Sequence, residues 1–396
     1  MTLYATPSHD ATIPQLADVI ARALVAPAWR THLGPTDPAS INCREALATL
    51  PVLRKSDLPR LQKSAPPFGG FEAQPTGEWG RLFLSPGPIF EPEPEGPDAW
   101  GAASALAEMG LRRADVVLNT FSYHMSPGGF LFDSGARSLG CAVIPAGPGN
   151  TEQQLELIAA YRPNVFIGTA DFLNILLEIA AANGVDTSCI RTAIVSGAAF
   201  PKPLRERFAV ARIDAREVYA AAEVGIIAYA VSDRPELIVS RDLIVEIVDP
   251  NSGIPVAPED TGEVVVTCLR PRRPIIRLAL GDLSAFHAVT PGERLRLRGW
   301  LGRVDQATKI KGMFVRPEQI REVQSRHPEV QRLRLVVQRV RDVDSMTLHA
   351  EAAIGSSMLP ETLATTLAAI TKLRGRVELH SAGSLPEDGK LIVDER

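Results

Sequence analysis

The chain has 396 residues, enough for two or three domains with a large apolar core. Hydrophobic residues make up 45% and charged residues 22%, and 42 Lys and Arg against 46 Asp and Glu give a net charge of −4. This balance indicates neither a nucleic-acid-binding nor a membrane-attracting surface, although the segment RPRRP at 270–274 is basic. The N-terminal residues lack a signal-peptide pattern and no apolar run reaches about 20 residues, so we expect a cytoplasmic protein without a membrane partner.

The four cysteines, Cys43, Cys141, Cys189 and Cys268, are scattered and form no close pair. Zinc sites built from cysteine need closely spaced ligands, and disulfide scaffolds need more cysteines in a shorter chain. We therefore expect free thiols in a reducing compartment and no zinc.

The first eighty or so residues combine helical patterns with Pro-rich connections. Apolar spacing predicts one amphipathic helix over ATIPQLADVIARALVAPAWRTHL, then two short helices separated at Pro51. Residues 81–95, RLFLSPGPIFEPEPE, begin as a strand and pass through Ser85 and Gly87 into a Pro/Glu run. A short strand before a loop of small residues is typical of a phosphate-binding loop, but a simple turn fits as well.

From about residue 98, short apolar runs alternate with helical patterns. The helix over TEQQLELIAAY is predicted to begin with a capping pair, Thr151 and Gln154. This alternation predicts right-handed βαβ units and a parallel sheet with helices on both faces. Ligands in such sheets bind beyond the carboxyl ends of the strands. The predicted strands are DVVLNTF, CAVIPA, NVFIG, RTAIVSG and AREVYA.

After residue 225 the patterns are those of strands joined by turns, and from residue 302 they become mixed again. The prediction is an α/β fold with a large N-terminal domain of parallel sheets covered by helices, over 1–303. It includes a β-rich subdomain, a distorted barrel or antiparallel sheet, at about 226–303. A small α+β domain follows over 304–396.

Two segments of the large domain place polar residues near strand ends. Glu223 follows the strand that carries Tyr219; a carboxylate there suits Mg²⁺ and a tyrosine ring can pack on a purine, although both residues could be structural. Gly281-Asp282 lies between two predicted strands, where a hairpin turn is the simpler interpretation and a carboxylate that accepts both ribose hydroxyls is the functional one.

Two further segments lie near and within the small domain. Arg303 could reach a phosphate or ribose, or form a surface salt bridge, and the polar residues at this junction could act as a hinge. The strand after it carries Lys309 and Lys311. Lys390, on a Gly turn near the C-terminus, could neutralise charge that develops in adenylyl transfer, or could simply be solvated.

No single segment is specific to one protein family, but the order and spacing of all of them together resemble a known family. From about residue 28 to the end, the chain resembles the phenylacetate–coenzyme A ligase branch of the adenylate-forming superfamily, which includes acyl-CoA synthetases, adenylation domains and luciferases. The matching segments are LGCAVIPAGPGNTEQQLELI, VSGAAFPKPLRERF, VYAAAEVG, EIVDPNSGIPVAPEDTGEVVVT, IIRLALGDL, GRVDQATKIKGMFVRPEQIREV and LPEDGK.

The resemblance implies activation of a carboxylic acid with Mg·ATP to an acyl-adenylate, rotation of a mobile C-terminal domain, and thioester formation with coenzyme A. It implies small-molecule partners only, and a homodimer is plausible on the same ground. It implies these site residues: Gly197, Ala198 and Tyr219 for adenine, Glu223 for Mg²⁺, Asp282 and Arg303 for ribose, Asp305 as hinge, Lys311 and Gly312 for the thioester step, Lys390 for adenylation, and Tyr123, His124 and Gly128 for the acyl pocket.

The phosphate loop departs from the family pattern Ser-Ser-Gly-Thr-Thr-Gly-Lys-Pro. Ser85 and Gly87 fit, but residues 88–91 replace both threonine hydroxyls and the lysine, and Glu91 adds a negative charge. Proline also removes a backbone donor. We therefore expect a degenerate loop that repels pyrophosphate. Two functional hypotheses follow: an acid–CoA ligase with a substitute arrangement for the triphosphate, or an impaired family member that binds nucleotide or acyl groups or serves as an accessory acyl-transfer protein.

Overall fold

The computed structural model divides the chain into two compact units, Met1–Leu301 and Gly302–Arg396. The residues described are 13–85, 87–198, 200–231, 236–270, 272–288, 293–304, 308–311, 313–340, 343–352, 358–386 and 390–396. Within them, no helix is both long and apolar enough to cross a membrane.

The first unit contains helices and strands in mixed order. Its helices are α1 (Pro14–Ala23), α2 (Pro27–Leu33), α3 (Arg44–Ala48), α4 (Leu58–Ser64), α5 (Ala102–Glu108), α6 (Gly128–Ser138), α7 (Thr151–Tyr161), α8 (Ala170–Ala182) and α9 (Lys202–Val210). Its strands are β1 (Leu53–Arg54), β2 (Leu82–Ser85), β3 (Ile89–Pro92), β4 (Val116–Asn119), β5 (Ala142–Pro145), β6 (Val165–Gly168), β7 (Thr192–Val195), β8 (Asp214–Ala221), β9 (Gly225–Tyr229), β10 (Leu237–Val239), β11 (Leu243–Val248), β12 (Gly262–Cys268), β13 (Ile275–Ser284) and β14 (Arg296–Leu297).

The predicted parallel sheet is present. Strands β5, β4, β6, β7 and β8 pair in that order, all parallel, and the helices between them pack on the two faces as separate apolar clusters. The central strands are apolar on both sides because both faces are covered.

The strands after residue 225 are divided between two sheets. β9, β10 and β14 extend the parallel sheet in antiparallel order, whereas β11, β12 and β13 form a second sheet with β1 from the N-terminal region. The N-terminal helices pack into the same core as this second sheet. The structure therefore differs from the predicted single β-rich subdomain at 226–303, because strand propensity does not specify which sheet a strand joins.

Two predictions about the helices are wrong. The single amphipathic helix near the N-terminus is two helices, because Pro27 begins α2 and the chain turns at 24–26. Thr151 and Gln154 do not cap α7: its N-cap is Asn150, in a left-handed conformation without a side-chain hydrogen bond. Gln154 instead donates to the carbonyls of Gly147 and Gly149, both at 2.8 Å, and holds the loop that precedes the helix.

The second unit is a four-stranded sheet with two helices and a hairpin. Its elements are β15 (Gly302–Arg303), β16 (Thr308–Ile310), β17 (Met313–Val315), α10 (Pro317–Ser325), β18 (Val330–Val340), β19 (Val343–Ala352), α11 (Leu359–Thr371), β20 (Arg376–His380) and β21 (Ile392–Asp394). The sheet order is β20-β19-β18-β21, and an apolar core joins it to α10 and α11. The predicted strand TKIKGMFV is the hairpin β16–β17, with Lys311 at its turn (φ 47°).

A buried ion pair joins the N-terminal region to the second sheet. Arg277, only 2% exposed, contacts both carboxylate oxygens of Glu246 at 3.0 Å and donates to the backbone carbonyls of Ala48 and Gly253. We expect Glu246→Ala to lower the free energy of unfolding by about 3–5 kcal/mol, because it leaves the guanidinium charge buried and unpaired.

The matched control is Glu178→Ala, which removes the exposed Arg207–Glu178 pair and should cost less than about 1 kcal/mol. Urea denaturation of both variants measures the difference. Equal losses would contradict the structural role of the buried pair.

Candidate functional site at the carboxyl edge of the parallel sheet

Two residues from different sheets meet at the predicted nucleoside end. The hydroxyl of Tyr219, on β8, donates to Asp282 Oδ2, on β13, at 2.8 Å. The other oxygen, Oδ1, accepts from the indole Nε1 of Trp300 at 3.3 Å. The fold thus brings together two residues that are 63 positions apart in the sequence, and adds an exposed tryptophan that the sequence analysis did not single out.

Asp282 owes its position to an irregularity in β13, and of the two interpretations of Gly281-Asp282 the hairpin turn is excluded. The strand continues through both residues, and Gly281 has a positive φ of 77°. The pairing of β13 with β12 shifts register here, so that Leu283 faces Glu263 but Ala279 faces Val265. Glycine tolerates the left-handed conformation that such a bulge requires.

The loop after β7 lies next to the strand that carries Tyr219. Gly197, with φ 75°, and Ala198 follow the strand end directly, while Ala199 lies outside the described residues. Ser196 is buried, and its hydroxyl donates to the carbonyl of Val218 at 2.7 Å, which ties this loop to β8. Gly197 and Ala198 are therefore at the carboxyl edge of the sheet, next to the strand that carries Tyr219.

Glu223, the predicted magnesium ligand, is buried and paired with a lysine. The ammonium of Lys55 lies 2.8 Å from Oε1 and 3.0 Å from Oε2 of Glu223. Burial disfavours the ammonium, but the carboxylates of Glu223, Glu91 and Asp282 overcome it and raise the pKa of Lys55. The carboxylate therefore has a permanent cation beside it.

The segment predicted to be a phosphate loop is a tight hairpin. Strands β2 and β3 are antiparallel, with Ser85 opposite Ile89, and the strand at β3 was not predicted. The backbone N–H of Leu84 donates to the carbonyl of Met125 at 2.8 Å, which anchors the hairpin to the loop before α6. Gly87 lies in the turn, where a Cβ would come within 2.8 Å of the Ile89 side chain.

Glu91 points from this hairpin into the protein. Its side chain is 1% exposed and accepts a hydrogen bond from the Ser85 hydroxyl, while Oε2 has no hydrogen-bond donor among the described residues. Burial and the nearby Glu223 carboxylate raise the pKa of Glu91 to about 7. Ser85 therefore binds the protein's own carboxylate.

Arg273 and Glu72 complete the buried cluster. The Arg273 guanidinium is 2.9 Å from Glu72 and 4.0 Å from Glu91 Oε2. A partly open cavity of about 30 Å³, room for about two waters, lies beside them. The basic segment at 270–274 does not form an exposed patch at Arg270 and Arg273, because Arg273 is buried and Arg270 pairs with Asp242.

The predicted acyl-pocket residues lie on the loop before α6 and at its start. The Tyr123 hydroxyl donates to Asp133 at 3.1 Å and accepts from the Asn119 amide at 2.8 Å, and burial together with Asp133 raises the pKa of Tyr123. His124 is exposed, and Gly128 begins α6. The glycine that the tyrosine ring requires is Gly129, because a Cβ there would lie 2.8 Å from the ring.

The remaining predicted residues belong to the second unit. The Arg303 guanidinium lies over the Phe314 ring, 5.1 Å from its centre. Lys311 and Lys390 are exposed. Asp305 and Gly312 lie outside the described residues.

Sequence reasoning missed Lys55, Glu72 and Trp300, which contact the site residues. Lys55 is 168 positions before Glu223 in a short polar segment, and no local pattern distinguishes it from a surface lysine. The sequence signal for Glu91 is its position, where the resemblance requires a lysine.

Comparison with known proteins supports the resemblance across most of the chain. Residues 99–268 match the family model described as AMP-binding enzyme. The phenylacetate-coenzyme A ligase of Thermus thermophilus is 29% identical over 336 residues, 80% of this chain and 74% of the relative. The protein of the same name from Aromatoleum evansii is 27% identical over 330 residues, 79% of this chain and 74% of that one.

The chain thus contains an AMP-binding segment and is similar to phenylacetate-coenzyme A ligases over about four fifths of its length. The resemblance predicted from the sequence is thereby confirmed.

Solved structures confirm the α/β fold class of this ligase-like chain. A crystal structure of 2-hydroxyisobutyryl-CoA ligase in complex with 2-HIB-AMP and CoA has a TM-score of 0.81 at 22% identity, and covers 97% of this chain and 88% of its own. A double mutant of o-succinylbenzoate CoA synthetase from Bacillus subtilis has a TM-score of 0.59 at 17% identity, with coverage of 81% and 70%.

The raised pKa of Glu91 predicts a pH-dependent loss of stability. A carboxyl whose pKa is higher in the folded protein than its ordinary 4.5 binds more protons when folded, so stability falls as pH rises from about 5 through about 7. Glu91→Gln removes this titration. We expect it to be more stable than the wild type by about 3 kcal/mol at pH 8 and nearly equal at pH 5.

Chemical denaturation at both pH values measures this effect. The control is Glu95→Gln, an exposed glutamate of the same segment, which should change little at either pH. A Glu91→Gln variant that is no more stable than the wild type at pH 8 would show that folding does not raise the pKa of Glu91.

Proposed function

We propose that this protein activates a carboxylic acid, aryl or short acyl, with ATP and then forms its thioester with coenzyme A. In the first step a carboxylate oxygen bonds to the α-phosphorus of ATP and pyrophosphate leaves. In the second step the coenzyme A sulfur bonds to the acyl carbon and AMP leaves. The observation that carries the proposal is the Tyr219–Asp282 contact at the carboxyl edge of the sheet.

The names of the relatives support the same class of reaction. Two are phenylacetate-coenzyme A ligases, and the 2-hydroxyisobutyryl-CoA ligase structure holds an acyl-AMP and CoA. By this proposal the substrates are small molecules: an acid, a nucleotide and coenzyme A.

The nucleoside is proposed to bind where Tyr219 and Asp282 meet. The tyrosine ring packs on adenine, beside the loop of Gly197 and Ala198, and the Asp282 carboxylate accepts the ribose hydroxyls with help from Arg303. The Asp282 oxygens accept hydrogen bonds from Tyr219 and Trp300, and a carboxylate has further lone pairs that can accept ribose hydroxyls.

The acid is proposed to bind beside Tyr123, His124 and Gly128. Bonds to Asn119 and Asp133 fix the Tyr123 ring, which packs edge-on against Phe130 with 5.0 Å between ring centres. Aromatic walls favour an apolar acyl group. The stacked pair Phe121–Phe132 supports this wall from the core, where Phe132 is buried.

Residues of the second unit are proposed to act in the two chemical steps. Lys390 stabilises the charge that develops as pyrophosphate leaves, whereas Lys311 and Gly312 face the thioester step after rotation at Asp305. These roles rest on the family resemblance.

Mg²⁺ is proposed to bind at Glu223. Its carboxylate supplies the hard oxygen ligand that Mg²⁺ prefers, but the group is 4% exposed and paired with the Lys55 ammonium at 2.8 Å, so the ion must compete with that lysine. A bound Mg²⁺ ion would neutralise part of the phosphate charge. Lys55 is proposed to substitute for the lysine missing from the phosphate loop once Mg²⁺ replaces it on the Glu223 carboxylate.

A second candidate function is favoured by Glu91. A buried carboxylate that titrates near pH 7 opposes the β- and γ-phosphates of ATP but leaves the AMP portion unaffected. This observation supports an impaired family member that binds nucleotide or acyl groups, or that serves as an accessory acyl-transfer protein.

The two functions differ in pyrophosphate release. The ligase predicts acid-dependent release of pyrophosphate from Mg·ATP in a panel of aryl and short aliphatic acids, followed by thioester formation when coenzyme A is added. We expect Lys390→Gln to lower the release rate about a hundredfold. The control Lys372→Gln, on an exposed lysine of the same unit, should keep the wild-type rate.

Release that is independent of the acid, or unchanged in Lys390→Gln, would contradict the ligase mechanism. No release with any acid, together with binding of a non-hydrolysable acyl-adenylate analogue, would establish the second candidate function instead.

A further inference from the structure

A cluster of two histidines and a glutamate lies on the sheet of the second unit and has no part in the proposed reaction. Strands β19 and β20 are parallel, with His349 beside Glu378 and Glu351 beside His380. Leu348 and Ala350 point into the core that α10 and α11 cover. Because side chains alternate along a strand, His349, Glu378 and His380 share the opposite face of the sheet.

The three side chains converge on one point. His349 Nδ1 lies 2.8 Å from His380 Nε2 and 3.6 Å from a carboxylate oxygen of Glu378. One potential ligand atom from each residue lies within 4.8 Å of the other two. At 2.8 Å the two ring nitrogens cannot both carry a proton, so at least one directs a lone pair at the other.

The geometry points to a binding site for a zinc-type divalent transition metal formed by His349, Glu378 and His380. Tetrahedral zinc, with metal–nitrogen bonds of about 2.0–2.1 Å, separates its ligand atoms by about 3.3 Å. The His349–His380 pair must open by about 0.5 Å and the His349–Glu378 pair must close slightly, changes that side-chain rotation supplies. Three protein ligands leave a fourth position for water or an external ligand.

The neighbours limit which residues take part and which metals fit. Glu351 is not a ligand, because its carboxylate accepts the backbone N–H of Leu385 at 2.6 Å. Arg334 is paired in register with His349 on the other side, and its charge weakens the affinity for any cation. Two imidazoles and one carboxylate favour Zn²⁺, Ni²⁺ or Cu²⁺ over Mg²⁺.

This site is independent of the cysteines on which the sequence prediction of no zinc was based. It also uses none of the residues proposed to bind nucleotide, acid or coenzyme A. Residues 349 and 380 are 31 positions apart, so the sequence contains no closely spaced ligand motif that would reveal it.

Calorimetric titration of the full chain with ZnCl₂, and with MgCl₂ for comparison, tests the site. We expect saturable binding of one Zn²⁺ and no binding of Mg²⁺ without nucleotide. His380→Gln and Glu378→Gln should each weaken Zn²⁺ binding about tenfold or more, and His287→Gln, a histidine of the first unit, should not. Co²⁺ titration should give visible absorption bands that His380→Gln abolishes.

Glu378 is 57% exposed, so Glu378→Gln is expected to fold even if a histidine variant does not, and thermal denaturation verifies this. Absence of saturable Zn²⁺ binding by the wild type would overturn the proposal. Zn²⁺ affinity that is unchanged in folded Glu378→Gln and His380→Gln would also overturn it, since the metal would then bind elsewhere, for example at free thiols.

Discussion

The ion pair between Lys55 and Glu223 is the interaction on which the candidate site depends. It places a positive charge from the N-terminal region against the carboxylate that the family resemblance assigns to Mg²⁺, at 2.8 Å and largely shielded from water. Glu91 enters the same cluster from the hairpin where the family carries lysine. Two cations, Lys55 and Arg273, therefore face three buried carboxylates in this cluster, those of Glu72, Glu91 and Glu223. By the proposed function, a triphosphate competes with this arrangement and a nucleoside monophosphate does not.

The proposed nucleoside end has a different physical basis. Tyr219 lies at the end of a strand in the large sheet, and Asp282 lies at a bulge in the second sheet, so their contact depends on how the two sheets pack. The β-strands after residue 225 determine this packing because some extend the large sheet and others build the second one. Arg277, buried beside Glu246, connects the N-terminal segment to that second sheet. The segment also carries Lys55, and the two ends of the site are thereby joined through one core.

Hydrophobic periodicity predicted the parallel sheet and its helices, because each strand buried on both faces is a short apolar run and each helix has an apolar stripe. Hydrophobic periodicity did not predict the segments whose secondary structure depends on pairing with distant strands. Gly281-Asp282 has the composition of a turn but lies in a bulged strand, and residues 89–92 form a strand despite Pro92. The resemblance located Tyr219, Glu223 and Asp282. Lys55 cannot be predicted from its local sequence, since its importance comes from a contact 168 positions away. Gly128 and Gly129 fit the Gly-rich segment equally well, and only the structure shows that the Tyr123 ring requires Gly129.

The most direct test of the central claim compares ligands that differ only beyond the α-phosphate. Calorimetric titrations at pH 8 with ATP, AMP and a non-hydrolysable acyl-adenylate analogue measure how the phosphate end contributes to affinity. The account predicts that AMP and the analogue bind more tightly than ATP, and that Glu91→Gln strengthens ATP binding while leaving AMP binding unchanged. Wild-type protein that binds ATP far more tightly than AMP would contradict it.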